Sequence, residues 1–257
     1  MVVQDQSTRY GAQYAGVYDL IFQRDAAAEA TADMLFRLAG GGHPTVVELG
    51  VGTGRIALPL ARRGARVIGV DTSRELLELA REAAELDRLP VQLVLADMRS
   101  WTAEVRADLT YCVCATISML ATADEQLRTL GRAAASTRPG AHVVVETHNP
   151  AYVTALHADR ASVDLPVPVS GLADGMVMHS RAPSPDGLWH VTSSWDDGSG
   201  RVAAEEFSRL TTPDALEALA LEVGLVPVAR SGDFRGGPLE PTSATYVSTF
   251  RVGEDDR

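Results

Sequence analysis

A short apolar run leads directly into three glycines at alternate positions, Gly50, Gly52 and Gly54. The run, residues 45–49, reads as a buried strand of a parallel sheet. Glycine has no Cβ, so main-chain N–H groups of the loop can approach a ligand where a side chain would clash. An apolar pattern resumes at Ile56 and predicts a helix near Gly54–Arg62. The segment therefore predicts a strand, a ligand-binding loop and a helix, the first half of a nucleotide-binding βαβ unit.

The residues around the loop limit which nucleotide it can bind. A Walker A loop requires a lysine, and all 23 basic residues of this chain are arginines. The dinucleotide fingerprint has a third glycine where this chain has Arg55. A second apolar strand ends in Asp71, about 20 residues past the first glycine, where a carboxylate can bind both ribose hydroxyls. Asp71 is therefore predicted to anchor a ribose, and Thr72 to cap the helix that follows.

Three signals in order resemble the class I S-adenosylmethionine (SAM) dependent methyltransferases. The glycine loop is followed by the strand that ends in Asp71, and then by a third apolar strand that ends in Asp97 and Met98. The resemblance implies SAM as the cofactor. It places the methionine part of SAM in the glycine loop, the ribose on Asp71, and the adenine on Asp97 and Met98.

The resemblance extends to residues around these three signals. The predicted cofactor-binding set is Tyr10, Tyr18, Glu48, Gly50, Gly52, Thr53, Gly54, Asp71, Thr72, Asp97, Met98 and Cys114. Glu48 is expected behind the loop, where it orders the backbone or binds the ammonium group of SAM. A buried carboxylate can equally be satisfied by neighbouring N–H groups. An acid at a strand end can likewise serve only as a helix cap.

Aromatic residues recur four apart near the N-terminus, at Tyr10, Tyr14, Tyr18 and Phe22, and so share one face of a predicted helix. The pattern fits an amphipathic helix packed on the core. It also fits a lid, because tyrosine-rich leaders fold over SAM in methyltransferases that resemble this chain, and aromatic ring faces attract a sulfonium. Residues 1–42 are predicted to form this helical lid.

Two residues at the end of the predicted fifth strand are candidate general bases, His148 and Glu146. The ordinary pKa of a histidine suits proton transfer near neutral pH. His148 can instead hydrogen-bond its own turn, and Glu146 can point into the sheet. Histidine and cysteine do not cluster at metal-ligand spacing, so no metal is expected.

Strands and helices alternate between residues 43 and 150. The alternation predicts an α/β fold with a Rossmann-like, seven-stranded, mostly parallel sheet and helices on both faces. Residues 151–205 carry many turn residues and short alternating runs, which predict a small antiparallel β insertion after the fifth strand. The insertion is expected to cover the substrate, because ligands bind outside the carboxyl ends of parallel strands. Residues 206–257 are predicted to supply the last helix and a closing β-hairpin.

Charge and cysteine usage limit the partners and the compartment. The formal net charge is -11, which argues against a nucleic-acid substrate. Cys112 and Cys114 alternate in the predicted strand 109–114, on one face and too close together for an unstrained disulfide. Reduced thiols, a polar start at residues 4–7 and no apolar run of membrane-spanning length favour a cytoplasmic protein that does not enter a membrane.

The sequence predicts a SAM-dependent methyltransferase that acts on nitrogen, oxygen or carbon of a small-molecule acceptor in secondary metabolism. Its layout resembles bacterial methyltransferases that N-methylate amino sugars in natural-product pathways. One alternative keeps the SAM fold but catalyses a non-methylating step such as cyclisation. A second, an NAD(P)-binding protein, is disfavoured by Arg55, and no exposed motif favours a protein that only binds a partner. A homodimer is left open.

Overall fold

The computed structural model describes residues 6–254. A seven-stranded sheet in the order β10-β11-β5-β4-β1-β2-β3 forms the centre of the molecule. Its strands are β1 Thr45–Leu49, β2 Arg66–Asp71, β3 Val91–Leu95, β4 Ala107–Cys112, β5 Thr137–His148, β10 Leu225–Ser231 and β11 Thr245–Val252. Strands β1 to β5 pair in parallel, whereas β11 pairs antiparallel with both β5 and β10. The predicted Rossmann-like sheet and its closing hairpin are confirmed.

Helices cover both faces of this sheet. The helices are α1 Gln6–Tyr14, α2 Tyr18–Ile21, α3 Ala26–Leu38, α4 Ala57–Arg62, α5 Arg74–Leu86, α6 Ala123–Ser136, α7 Pro150–His157 and α8 Pro213–Glu222. On one face, Val46 of β1 packs in a buried cluster with Leu35 of α3. On the other face, Val47 packs in a second cluster with Leu130 of α6. Because neighbouring side chains of β1 point to opposite faces of the sheet, the strand contributes to two separate apolar layers.

A four-stranded antiparallel sheet follows α7. Its strands, in the order β6-β7-β8-β9, are β6 Ser162–Val167, β7 Met176–Arg181, β8 Leu188–Asp196 and β9 Arg201–Arg209. One face packs on the N-terminal segment, where Trp195 and Ala204 share a buried cluster with Tyr14. Strand β9 runs four residues past the predicted end of the insertion at residue 205. We call this second layer the cover sheet.

Two strand and helix boundaries were predicted wrongly near the site. The helix after the glycine loop begins at Ala57 and not at Gly54, because Gly54 has a φ of +82°, which a right-handed helix cannot contain. Strand β4 ends at Cys112, and Cys114 has a left-handed φ of +56°. The two cysteines therefore do not share one face of a strand, although both are free thiols.

Two further local predictions are corrected at helix ends. The N-cap of α5 is Ser73 and not Thr72, because the Ser73 hydroxyl accepts the hydrogen bond from the Leu76 N–H. The N-terminal aromatic segment is two helices and not one, with a turn between Tyr14 and Tyr18.

None of the helices within residues 6–254 is long and apolar enough to cross a membrane. Residues 1–5, at the polar start of the chain, lie outside the described residues. Residues 255–257, at the end of the predicted closing unit, also lie outside them.

Candidate cofactor and acceptor site

An open cavity of about 810 Å³ lies at the carboxyl ends of the parallel strands. Eight of the predicted cofactor-binding residues line it: Tyr10, Tyr18, Gly50, Gly52, Asp71, Thr72, Asp97 and Met98. The other four, Glu48, Thr53, Gly54 and Cys114, are not among its lining residues. The glycine loop, the ends of the second and third strands and two N-terminal tyrosines thus line one cavity. The first and last of these residues, Tyr10 and Met98, are 88 positions apart in the chain.

The glycine loop is packed too closely for side chains. A Cβ on Gly50 would lie 2.3 Å from Cγ2 of Thr116, and one on Gly52 would lie 3.2 Å from the Tyr18 hydroxyl. Both glycines have positive φ, +80° and +53°. Thr116 and Tyr18 therefore pack against the main chain of the loop, and the close packing and positive φ require glycine at both positions.

Asp71 ties the loop to the end of β2. One carboxylate oxygen accepts the Gly52 N–H at 2.8 Å, and the other accepts the Ser73 N–H at 2.9 Å. Burial raises the pKa of Asp71, and these main-chain donors oppose that rise. A carboxylate oxygen has more than one lone pair, so acceptor capacity remains for ribose hydroxyls.

Asp97 is held by an arginine that the sequence analysis did not single out. The Arg99 guanidinium donates to both Asp97 oxygens, at 2.6–3.0 Å, and to Glu125 at 2.5 Å. Hydrogen bonds from Arg99 lower the pKa of Asp97, so it is ionised at neutral pH. Arg99 and Glu125 both line the cavity beside Met98. The signal that could have revealed Arg99 is its position two residues after the acid, where its side chain folds back.

Glu48 lies behind the loop, as predicted, and is only 3% exposed. Its carboxyl accepts the Tyr111 hydroxyl at 2.9 Å, and burial raises its pKa to about 8. Glu48 is therefore mostly protonated at pH 7. Thr53 also points away from the cavity, since its hydroxyl donates to Asp19 at 2.6 Å. These contacts stabilise the back of the loop.

Arg55 is a second residue that the sequence analysis missed, because it was considered only as a departure from a glycine fingerprint. Its guanidinium lies 2.7 Å from the Cys114 sulfur. Its buried Nε has no hydrogen-bond partner within residues 6–254. Burial raises the pKa of Cys114 to about 11, so this partner is a neutral thiol, and the negative charge of Glu146 lies close enough to help raise the pKa of Arg55.

The two candidate bases lie in different environments. Glu146 accepts the Cys114 N–H at 2.7 Å and the Thr245 hydroxyl at 3.0 Å, so both of its oxygens are engaged. The His148 ring meets the Trp189 ring edge-on, with centroids 5.0 Å apart. Burial lowers the pKa of His148 to about 4, so it is neutral at physiological pH. Neither residue lines the cavity described above.

An aromatic layer closes the site from the N-terminal side. Tyr10 lies 4.5 Å from Tyr14 and 6.4 Å from Tyr18 between ring centroids. Tyr14 stacks on Trp195 of the cover sheet at 5.6 Å. Tyr10 and Tyr18 line the cavity, and Tyr14 joins them to the cover sheet. Ring faces at this position can stabilise a positive centre in the cavity.

Comparison with known proteins agrees with this geometry. Residues 46–140 match the family described as Methyltransferase domain. The chain is 32% identical over 195 residues to the cypemycin N-terminal methyltransferase of a Streptomyces species, covering 76% of this chain and 77% of that protein. The glycine loop and strands β2 to β4 lie within residues 46–140.

Two solved structures have the same fold. The CcbJ methyltransferase from Streptomyces caelestis is 29% identical, with a TM-score of 0.80 over 96% of this chain and 99% of its own. SAM-bound CalS10, an amino pentose methyltransferase from Micromonospora echinaspora, is 20% identical, with a TM-score of 0.67 over 91% and 96%. The chain therefore belongs to the class I SAM-dependent methyltransferases.

Proposed function

We propose that this enzyme methylates a small-molecule acceptor bound between the SAM cavity and the cover sheet, in natural-product biosynthesis. The observation that carries the proposal is the shared cavity, in which the three SAM signals meet two tyrosines that connect to the cover sheet through Tyr14. The relative named for N-terminal methylation supports an amine as one candidate acceptor. Nitrogen, oxygen and carbon acceptors share this geometry.

Each group around the cavity has a proposed task. Asp71 binds the ribose, Asp97 and Met98 bind the adenine, and the ring faces of Tyr10 and Tyr18 stabilise the sulfonium. Arg55 supplies the charge for the carboxylate of the methionine part, since its guanidinium donates to a neutral thiol and its Nε has no hydrogen-bond partner within residues 6–254. SAM supplies a methyl group that its sulfonium already activates. The protein therefore mainly holds and aligns the acceptor.

The proposed roles of the two candidate bases differ. Glu146 is better suited to position the chain after β4, because its oxygens already accept two hydrogen bonds. His148 remains the candidate base, since a neutral imidazole can accept a proton. A pKa of about 4 makes it a weak base, so it suits an acceptor that needs little help to lose a proton.

Two measurements test the proposed function. Calorimetry with SAM and S-adenosylhomocysteine should show binding, and incubation of the purified protein with SAM and candidate acceptors should yield a product heavier by one CH₂. A product of unchanged mass would support the non-methylating alternative. No heat with either nucleoside would contradict the proposal as a whole.

The proposed role of Arg55 has its own test in a substitution to Met. We expect Arg55→Met to weaken S-adenosylhomocysteine binding by about tenfold, because about 1.5 kcal/mol is a typical contribution of a hydrogen bond to a charged group. Binding of 5′-methylthioadenosine, which lacks the amino-acid part, should stay within about twofold. Equal losses for both nucleosides would contradict a contact with the carboxylate.

Compartment and assembly are also proposed. Two free thiols favour a reducing, cytoplasmic location. The net charge of -11 favours a partner other than nucleic acid. A homodimer remains a prediction, which sedimentation of the purified chain would test.

A further inference from the structure

Glu206 lies on the face of the cover sheet that packs toward the SAM-binding core. In β9, Ala204, Glu206 and Ser208 share one face, because side chains alternate along a strand. Ala204 and Ser208 are 0% and 2% exposed. Val191, which pairs with Glu206 across to β8, is buried as well. The carboxylate is thus directed into the interior.

Three elements meet around this carboxylate. Tyr10 and Tyr14 of α1 lie close enough that the charge of Glu206 is the second-largest cause, after burial, of the raised pKa of each phenol. Ser208, the next residue on the same face, hydrogen-bonds the Ser118 hydroxyl at 3.1 Å, in the short helix Thr116–Met119 after β4. Tyr10, Thr116 and Met119 all line the SAM cavity. Glu206 is therefore close to Tyr10, a residue that lines the cavity, although it is not one of the lining residues itself.

Glu206 has no charged or hydrogen-bonding partner of its own within residues 6–254. Burial alone raises its pKa to about 7, with no donor or cation to oppose the rise. The facing groups are the neutral phenols of Tyr10 and Tyr14 and the uncharged side chains of β8 and the short helix. The Glu206 side chain is partly exposed, and a carboxylate that loses much of its hydration without gaining a partner has a cost that a bound cation can remove.

The neighbouring residue has the opposite environment and shows that the arrangement is specific. Glu205 points to the outer face, is exposed, and lies 3.8 Å from His190. The two adjacent carboxylates thus differ in the face of the sheet to which they point, in their exposure and in whether they have a histidine partner. A general property of β9, such as its composition or the repulsion between its charges, would act on both residues. It therefore does not explain why, of the two, Glu206 alone points inward.

We propose that Glu206 binds the acceptor and selects a cationic amine. The inference rests on the proposed function and narrows its acceptor to one chemical class. An ammonium group beside Glu206 gains a charge-assisted hydrogen bond, and Tyr10, which lines the cavity, adds cation–π attraction. An uncharged alcohol of the same shape gains neither of these contacts and leaves the carboxylate unpaired.

In the same contact, Glu206 can accept the proton that the amine must lose. Methyl transfer requires the nitrogen lone pair, so an ammonium group first gives up one proton. That proton passes to a Glu206 oxygen, which leaves a neutral amine and a neutral carboxylic acid. No oxidant or further reactant is needed. The positive charge of the acceptor and the negative charge of Glu206 cancel in this step.

A matched pair of probes tests the proposal without knowledge of the natural acceptor. Phenethylamine and 2-phenylethanol have nearly the same shape and differ in one charge. Binding of both is measured by NMR titration, with and without S-adenosylhomocysteine, for the wild type, Glu206→Gln and the control Glu205→Gln. We expect the amine to bind at least tenfold more tightly than the alcohol in the wild type and in the control. In Glu206→Gln the two should agree within about twofold.

The pH dependence gives a second readout from the same titrations. Glu206 is neutral below its pKa of about 7 and ionised above it, so wild-type affinity for the amine should rise between pH 6 and pH 8. Affinity of Glu206→Gln should stay flat over this range. Tyr10 and Tyr14 do not titrate there, because their pKa values are raised. Thermal unfolding of both variants confirms that they are folded.

A wild type with no amine preference would overturn the proposal, and so would a preference that Glu206→Gln retains. Calorimetry with S-adenosylhomocysteine on the same samples keeps this failure separate from failure of the proposed function. Normal nucleoside binding with no amine preference counts against Glu206 alone. Absent nucleoside binding counts against the SAM assignment, whatever the probes show.

Discussion

The cofactor half and the acceptor half of the site are built in different ways. In the proposed cofactor half, Gly50, Asp71 and Asp97 lie at or just past the ends of parallel strands, and main-chain N–H donors hold the two aspartates. In the acceptor half, Glu206 and His148 face aromatic rings from distant parts of the chain. The cofactor half is fixed by local backbone geometry, and the acceptor half by packing between layers.

This difference indicates where the specificity for the acceptor can change without loss of cofactor binding. A strand end at the edge of a parallel sheet keeps its position as long as the sheet forms. The cover sheet reaches the core through a few contacts, such as the Ser118–Ser208 hydrogen bond and the Tyr14–Trp195 stack. Substitutions in the two halves should therefore affect two separate quantities, nucleoside affinity and acceptor binding.

The largest effect is expected in the cofactor half, for Asp71→Ala. Loss of the ribose contacts and of the Gly52 N–H acceptor should weaken SAM binding by about 10- to 100-fold, which corresponds to about 1.5–3 kcal/mol. Calorimetry with SAM measures the change. The matched control is Asp124→Ala, which removes an exposed carboxylate paired with Arg128 in α6. Similar SAM affinities for the two variants would contradict the ribose assignment.

An effect of comparable size, on stability and not on binding, is expected behind the loop for Glu48→Gln. The pKa of Glu48 is raised from 4.5 to about 8 in the folded chain. Between these values the folded state holds a proton that the unfolded state has lost, so the contribution of Glu48 to stability falls as pH rises. The slope approaches about 1.4 kcal/mol per pH unit within this window. Urea unfolding at pH 5.5, 6.5 and 7.5 measures it.

The glutamine variant supplies the reference for that slope. Glu48→Gln has no proton to lose, so the stability of the wild type relative to the variant should decrease from pH 5.5 to pH 7.5. A difference that does not change with pH would show that Glu48 is ionised in the folded chain. SAM binding should change less than in Asp71→Ala, because Glu48 does not line the cavity.

The smallest effect is expected at the joint between the two halves. Ser118 and Ser208 form a buried hydrogen bond, and a double-mutant cycle of their alanine variants should show a coupling of about 0.5–1.5 kcal/mol in urea unfolding. Affinity for S-adenosylhomocysteine should stay within about twofold in all three variants. Additive losses would show that the cover sheet does not depend on this contact.

Much of the cofactor half could be predicted from the sequence. Gly50, Asp71 and Asp97 stand next to apolar strands, so strand periodicity alone places them at one edge of the sheet. The mostly parallel sheet followed from the alternation of strands and helices, and the antiparallel closing hairpin from the family resemblance. The N-cap of α5 was assigned to Thr72 and not to Ser73, because a shift of one residue leaves the capping pattern almost unchanged.

The acceptor half could not be predicted in the same way. Glu206 reads as one of many acids in an alternating strand, and only the pairing of β8 with β9 shows which of Glu205 and Glu206 points inward. Arg55 was read against the wrong fingerprint, and its contact with Cys114 depends on the left-handed turn that ends β4. These contacts join residues that are distant in the sequence, and local patterns carry no information about them.

The Glu146 carboxylate joins three separate stretches of the chain, since it accepts from Cys114 after β4 and from Thr245 at the start of β11 while it belongs to β5. A polypeptide truncated before Thr245 would retain every glycine and aspartate that identifies the enzyme. It would nevertheless lose the Thr245 hydroxyl, one of the two hydrogen-bond donors to Glu146. Part of the support for the left-handed turn at Cys114 would be lost with it. The final hairpin therefore supports the turn after β4 from a distance, although it supplies none of the residues that line the cavity.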